Sequence, residues 1–488
     1  MYEVFYRFFK RHTSNSLIST LAYAWLLLSS RWRIRECAAR RPAYSQGRVG
    51  VKVAMICDQM TFEAFRRECG VVCLTPWNWR AVLRETPPDF VLCESAWEGI
   101  QGSGACWRGR IYRNHRVKFE HRRILFAILK NCRRQGIPTV FWNKEDPTFW
   151  GDQQYDFVDT ALRFDYIFTT AEECILRYQE LGHRNVQALP FGFSPNLFNP
   201  IGSGRMKREA FFAGSWYQDQ KERCRDMTQM FQYMEANDVP YTIYNRNYGI
   251  YRTDNQFPEP YKSRCRPGIP YTKLDAATKR YLYGLNINTA KDSQTMFARR
   301  VYEMMAGNHV VISNRAKGLE REFPDSVWYF DQSGVPDDVP DMRRKNLEHV
   351  FHFHTYEKRL NTILRVLGME ERRPEVRLYL LSEEFSGCRV LEIDGIRIER
   401  RQFRRGERIE EQLPEDAYAA VLRGGAAEVN WSFLMTQFAY LPKDCGIRWG
   451  KAVYEITEDT ENWDCVFPVC VLGTGLEHFS ESIKKIEL

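Results

Sequence analysis

Short runs of apolar residues alternate with amphipathic stretches over most of the chain. Residues 51–57 (Val-Lys-Val-Ala-Met-Ile-Cys), 90–93, 137–142, 165–170 and 186–189 are brief, apolar, and bounded by charged, Gly or Pro residues. That pattern predicts buried strands. Helical spacing falls between them, over 61–69, 121–135 and 174–182. The alternation restarts with strands at 210–213, 241–244, 285–288 and 310–313. A helix is expected over 295–306, with Phe297, Val301, Met304 and Met305 on one face and Gly307-Asn308 as its stop. Residues 346–367 read as one helix. Strand, loop, helix, strand is the unit of a parallel α/β sheet. After 371 the character changes. Residues 376–381, 389–398 and 452–456 alternate like strands, 413–418 reads as a linker, and 431–440 has helical spacing. The expected organisation is an arm at 1–50, α/β units at 51–200 and 201–370 divided at a Gly-rich polar link (202–208), and a β-rich accessory unit at 371–488.

Composition narrows the class. The 488 residues are 44% apolar, 14% aromatic and 27% charged, which describes a globular protein of two or three domains. Fourteen cysteines are scattered without a Cys-x-x-Cys pair, so a reduced cytosolic chain with no metal site is expected. His349, His352 and His354 are close in sequence but fall on more than one helix face. Residues 1–50 hold nine Lys/Arg and two Asp/Glu, so +7 of the formal +8 lies there. The remainder is nearly neutral, which argues against a nucleic-acid surface.

The arm carries an apolar run at 17–30, flanked by Arg7, Lys10 and Arg11 before and by Arg31, Arg33 and Arg35 after. At about 14 residues it is shorter than the ~20 needed to span a bilayer. Two readings stand. The run is a helix lying on an anionic membrane surface through residues 1–45, or a helix packed on the first α/β unit. The first places the protein peripherally on the inner face of the membrane.

Candidate chemistry gathers where strands end, because ligands of open α/β sheets bind beyond the carboxyl ends of the strands. The loop at 291–295 is at such an end. With the free N–H groups of the expected helix, Ser293 and Thr295 suit an anion. Arg299 and Arg300 follow, and adjacent helical positions point about 100° apart, so one of the two faces the loop. Glu303 lies four residues after Arg299, at the spacing of a helix ion pair. The segment at 94–109 offers Glu94, Trp97, Glu98, Gly99 and Trp107. Its glycines allow a tight loop, and its Trp faces either meet a sugar ring or fill the core. Glu145 and Asp146, beside Lys144, read either as a general base or, with Pro147, as a turn.

Several of these segments resemble the CgeB-like branch of the GT-B glycosyltransferases. The resemblance rests on Asn286-Ile-Asn288-Thr289, Thr295-Met-Phe-Ala-Arg-Arg300, Tyr302-Glu303 and Val311-Ile-Ser-Asn314. It extends to Glu94-Ser-Ala-Trp97, to Phe141-Trp-Asn-Lys-Glu-Asp-Pro147 and to Arg246. It covers about residues 90–367. It implies a GT-B-like pair of Rossmann-like domains, with the 346–367 helix crossing back to the first. It also implies a donor site for a nucleotide-sugar at Gly214, Lys221 or Arg223, Arg246, Asn288, Ser293, Thr295, Arg299, Arg300 and Glu303, with Glu303 on the ribose. Two positions depart from the family pattern. Thr295 stands where many retaining members have Glu, and Asn245 stands where an acid is usual.

The expected function is transfer of a sugar from a nucleotide-sugar donor to a glycan, cell-surface polymer or protein acceptor, with no metal and no separate cofactor. Glu94, Trp97, Glu98, Gly99 and Trp107 would meet the acceptor, and Glu145 or Asp146 would act as base. Two alternatives remain: a polyol-phosphate transferase of wall-polymer synthesis, and a non-catalytic membrane-associated assembly protein.

Overall fold

The structure is a computed structural model. It describes residues 16–32, 43–200, 206–250, 255–336, 340–372, 376–382, 396–402, 418–421, 447–449 and 464–468. Residues 202–205 of the expected link at 202–208, 389–395 of the strand expected over 389–398 and 413–417 of the linker expected at 413–418 lie outside these residues, as do the expected helix at 431–440, the strand at 452–456 and the basic flanks of the arm at 7–11 and 33–35.

Six strands form the first sheet: β1 (Val49–Ile56), β2 (Cys69–Cys73), β3 (Phe90–Glu94), β4 (Thr139–Asn143), β5 (Tyr166–Thr169) and β6 (Val186–Ala188). Their order is β2-β1-β3-β4-β5-β6, and every pairing is parallel. β3 and β4 are buried at every residue, as strands covered on both faces must be. The second sheet contains β7 (Lys207–Gly214), β8 (Tyr241–Asn245), β9 (Cys265–Pro267), β10 (Tyr281–Asn286), β11 (Val310–Ser313) and β12 (Trp328–Tyr329). It is also parallel, in the order β9-β8-β7-β10-β11-β12. The chain is thus α/β, with two Rossmann-like sheets. A third sheet, in the order β14-β13-β15-β17-β16, combines β13 (Val376–Ser382), β14 (Ile396–Gln402), β15 (Tyr418–Val421), β16 (Ile447–Trp449) and β17 (Asp464–Pro468).

Winding direction reverses between β1 and β3 in the first sheet and between β7 and β10 in the second. A crevice opens at such a reversal, because the connecting helices leave to opposite faces. These two points locate the site.

The chain passes twice between the sheets. The helix expected over 346–367 is two helices, Pro340–Phe353 and Tyr356–Val366. His354 and Thr355 break it. Thr355 is extended, and its side chain accepts from the Lys358 N–H as an N-cap. The extended residue pairs with Phe193: Phe193 N–H donates to His354 O at 3.0 Å, and Tyr356 N–H donates to Phe193 O at 3.0 Å. Gly192 is required here, since a Cβ on it would lie 2.5 Å from His354 O. Beyond the break, Tyr356, Leu360, Ile363 and Leu364 pack into the first sheet's core with Phe65, Trp142 and Phe168. The crossing back is therefore real, but it follows a break rather than one continuous rod.

Further boundaries differ, among them the strand expected over 285–288, which is β10 and ends at Asn286. The helix expected over 61–69 spans Gln59–Phe65, and Cys69 already opens β2. The helix expected from Thr295 starts at Arg300. Side chains take the N–H groups that helix bonding would otherwise use: Met296 N–H donates to Ser293 Oγ at 3.0 Å and Ala298 N–H to Asn288 Oδ1 at 2.9 Å. Such local bonds compete with helix.

Candidate active site

A cavity of about 210 Å³ is lined almost entirely by the second domain, at the ends of its strands. Met60, just past β1, lines it from the first domain. Ala213, Arg246, Tyr271, Arg299, Arg300 and Glu303 line it from the second.

Three guanidiniums act on one another here. Arg223, on helix Lys221–Ala236, is buried and donates to Ile287 O at 3.0 Å and to Thr289 Oγ1 at 3.2 Å. Arg246 follows β8, and its N–H donates to Gly214 O at 3.2 Å. Arg300 is half-buried, with its guanidinium over the Phe212 ring. Burial, and then the charges of Arg223 and Arg246, push Arg300 down to about 9. Its Nη1 is buried and has no hydrogen-bond partner. Gly214 closes β7 beside it, and a Cβ there would sit 3.4 Å from that Nη1. A buried charged N–H without an acceptor is unfavourable. An anion at the β7–β10 reversal would supply the missing acceptors.

Glu303, the carboxylate that acts on Arg300, is already engaged. Its Oε1 accepts from Tyr271 O–H at 2.8 Å and forms an ion pair with Arg299, whose Nε lies 2.9 Å away. Both arginines of the pair border the cavity, in different states: Arg299 makes the helix ion pair with Glu303, and Arg300 keeps an open donor.

Other expected donor residues are used differently. Lys221 is exposed at the start of its helix, while Arg223, two residues on, turns inward. Asn288 is buried and fully committed to the scaffold. Its Nδ2 donates to Ser313 Oγ at 3.2 Å, its N–H donates to Asn314 Oδ1 at 2.8 Å, and its Oδ1 accepts from Ala298. Ser293 is buried, and it accepts from Met296 through Oγ and from Gly318 through its carbonyl. Thr295 faces the first domain: its Oγ1 donates to Thr170 O at 2.8 Å and accepts from Glu172 N–H at 2.9 Å. The 291–295 loop therefore holds the two domains together, and the open Arg300 donor lies one strand away, at the Gly214 turn.

On the first domain, Asp58 organises the opposing face. Its carboxylate accepts from the N–H groups of Trp97 (2.9 Å), Glu98 (3.0 Å) and Gly99 (2.7 Å). Gly99 has a φ of 100°, a value that suits glycine. Glu94 is fully buried, accepts from Asp58 N–H at 2.6 Å and from Thr61 Oγ1, and pairs with Lys144. The ends of β1, β3 and β4 are thereby tied together.

The expected acceptor and base residues separate on this framework. Trp97 Nε1–H donates to Glu145 Oε1 at 2.9 Å, and its ring sits edge-on among Tyr112, Phe149, Tyr155 and Phe157. Trp107 is a core residue, 1% exposed, with its Nε1–H on Leu74 O at 2.7 Å. It offers no face to a ligand. Glu98 is exposed and pairs with Arg108. Burial raises the Glu145 carboxyl, against the opposing Trp97 bond and Lys144 charge. Asp146 is sealed in. Asn143, Thr169 and Tyr178 donate to its two oxygens at 2.7–3.0 Å, and burial pushes it up to about 7. Of the two acids, Glu145 is the one beside the 97–99 loop.

Among the described residues, one group of three metal-capable side chains converges: Glu322, His349 and His354. The break at 354 brings the two histidines together, and His352 stays outside. Arg359 Nη2 donates to His354 Nδ1 at 2.7 Å, so the neutral ring carries its proton on Nε2. That Nε2 faces Glu322 Oε1 at 2.8 Å. Metal-bound histidines usually donate from the other ring nitrogen, and here that nitrogen meets a donor. The arrangement fits a hydrogen-bonded triad.

Tyr271 and Asp58 were not singled out as site residues from sequence. Asp58 carried a signal, since it ends the first strand. Tyr271 carried none.

No family profile and no curated protein matches the chain. Solved structures overlap it in part. An alpha-glucosyltransferase in complex with UDP and a 13-mer DNA is 9% identical, over 62% of this chain and 90% of that one, with a TM-score of 0.33. HepE from Anabaena in complex with UDP-glucose is 10% identical, over 61% and 88%, with a TM-score of 0.34. TarM from S. aureus, in complex with UDP among other ligands, is 10% identical, over 59% and 58%, with a TM-score of 0.33.

Proposed function

We propose that the chain is a sugar-nucleotide-dependent glycosyltransferase whose donor diphosphate rests on Arg300, Arg223, Arg246 and the Gly214 turn. The observation that carries this reading is the buried, unpartnered Nη1 of Arg300 at the β7–β10 reversal. The sequence resemblance supports the sugar nucleotide as the anion's source. The same resemblance gives Glu303, held by Arg299 and Tyr271, the role of accepting from ribose hydroxyls.

In the reaction, an acceptor hydroxyl attacks the anomeric carbon. The bond from that carbon to the diphosphate oxygen breaks, and the electron pair leaves with the diphosphate. Three guanidiniums offset the charge that develops there, so no metal is needed for that task. Glu145 takes the proton from the acceptor hydroxyl. Burial raises its affinity for that proton, as suits a general base.

The acceptor side is held by Asp58 through the 97–99 loop. A glycan or cell-surface polymer is the expected acceptor class.

Thermal unfolding against UDP-, GDP-, ADP- and CDP-linked sugars tests the reading, because a ligand of the folded state raises apparent stability by mass action. One nucleotide sugar should stabilise the protein, and its slow hydrolysis should persist in excess chelator. Stabilisation by a CDP-polyol alone would favour the polyol-phosphate transferase. Stabilisation by nucleotide without any turnover would favour the assembly protein.

A further inference from the structure

The cavity that reaches Arg300 continues along the face of the second sheet that carries Phe211 and Ala213. Its far end is formed by Leu274, Asp275 and Thr278, on helix Leu274–Thr278, and by His309, just before β11. Tyr283 of β10 pairs with Ala210 on one side and with Val310 on the other. His309 therefore stands about five residues, or about 16 Å of strand, from the level of Gly214. A diphosphate alone is too short to touch both ends.

The far end presents two hydrogen-bond acceptors to one gap. Lys279 Nζ pairs with Asp275 Oδ2 at 2.9 Å, and Asp275 Oδ1 is buried without a hydrogen-bond partner. His309 is 2% exposed, and its Nδ1–H donates to Tyr281 O at 2.8 Å. Burial and then the Lys279 charge bring the ring down to about 3, so it is neutral and Nε2 keeps its lone pair. Burial, against the Lys279 charge, raises the Asp275 carboxyl only to about 6. At pH 7.5 it is ionised and supplies no proton to the ring. The nearby Thr278 hydroxyl donates to Leu274 O at 3.0 Å. Both acceptors border the space beside Gly307, where a Cβ would sit 2.9 Å from Asp275 Oδ1 and 3.0 Å from His309 Nε2.

We propose that this end of the cavity receives an amino group of the bound ligand, one nitrogen donating to both Asp275 Oδ1 and His309 Nε2. An amine has two N–H bonds for the two acceptors, a hydroxyl has one proton, and an oxo group brings only further lone pairs. The inference rests on the proposed function, because a diphosphate on Arg300 directs the rest of the ligand here. A nucleotide sugar carries such a group in two places: the exocyclic amine of cytosine, adenine or guanine, or the amine of an amino sugar. Uracil has none.

The test is calorimetric titration of the full chain at pH 7.5 with ligand pairs that differ at the amine: CDP against UDP, ADP and GDP each against IDP, and UDP-glucosamine against UDP-glucose. In one pair the amine-bearing member should bind about tenfold tighter, the worth of a hydrogen bond to a charged acceptor. That pair identifies the source of the amine. Gly307 has a φ of −76°, which alanine adopts freely, so G307A places a methyl group in the gap without strain in the backbone. It should cut the preference to less than about threefold, as should D275N, while the diphosphate still binds. The wild-type pairs give their answer whether or not either variant folds. Equal affinity within every pair overturns the inference and leaves the proposed function standing, with water satisfying the two acceptors. Absence of binding by every ligand overturns both. A preference that survives G307A and D275N puts the amine elsewhere and removes this site.

Discussion

The hydroxyl of Thr295 donates to the carbonyl of Thr170 at 2.8 Å, across the boundary between the two α/β domains. The same oxygen accepts from Glu172 N–H, so one side chain closes two bonds over the cleft. Replacing it with valine keeps the shape and removes both. At about 1 kcal/mol for each bond, T295V should lower stability by about 1–2 kcal/mol. The 210 Å³ cavity is smaller than the ~300 Å³ at which ligand pockets begin, so on the proposed function a donor would need the domains to part. Stopped-flow nucleotide binding to T295V should therefore show an on-rate several-fold faster than the parent's. An unchanged on-rate with unchanged stability would remove Thr295 from this role.

Arg300 makes a prediction of opposite sign for stability and binding. Its guanidinium lies beside Arg223 and Arg246, with Nη1 buried and unpartnered. Exchange of unmatched buried charge for an apolar side chain of similar length is neutral or stabilising, by about 1–4 kcal/mol. R300M should therefore melt at or above the wild-type temperature without ligand, and should lose the upward shift that a nucleotide sugar produces. A marked drop in the ligand-free melting temperature would instead make Arg300 a structural residue.

Glu145 and Asp146 are neighbours in sequence with different surroundings. E145Q should keep the wild-type melting temperature within a few degrees and lose transfer by two to four orders of magnitude, the usual contribution of a general base. D146N should change stability and its pH dependence. A buried carboxyl raised to about 7 is favoured in its protonated form. Its contribution is complete below the unfolded value near 4 and fades as pH rises towards 7. The asparagine variant should lack that fading, as denaturant titrations between pH 4 and 8 would show. Full activity in E145Q would exclude Glu145 as the base.

His354 gives the reverse pH window. Burial, and then the Arg359 charge against the pull of Glu322, bring it down to about 4. Glu322, His349 and Arg359 face it, and Arg359 also donates to the Pro190 and Phe191 carbonyls at the domain crossing. The native state holds this ring neutral. Its contribution is complete above the unfolded value near 6.5 and is lost as pH falls towards 4. At about 1.4 kcal/mol for each pH unit, the loss is at most about 3 kcal/mol. H354Q should be less stable than the parent at pH 7.5 and less sensitive to acid between 6.5 and 4. Equal acid sensitivity in the two proteins would show that the ring does not titrate against the crossing.

The α/β class, the two sheets and most strand centres were legible in the chain itself. Buried parallel strands must be apolar on both faces, and that requirement writes continuous runs such as 51–57 and 310–313. The Arg299–Glu303 pair was legible for a similar reason, since helix geometry sets a four-residue spacing. What lay beyond reading was the use of each polar residue at the strand ends. Asn288, Ser293 and Thr295 looked like anion ligands because of their chemistry and position. Only the packing of the domains showed that neighbouring backbone groups and the facing domain had already claimed them. Trp107 and Asp146 were likewise good candidates by type, and burial assigned them to the core. Arg223, Arg246 and Arg300 come from three separate segments; the family resemblance grouped them, but no local pattern does, and their mutual approach is a matter of packing. A one-dimensional pattern records which face of an element is buried. Which polar groups meet, and which one is left without a partner, depends on distances between residues far apart in the chain, and those exist only after the two sheets have closed on each other.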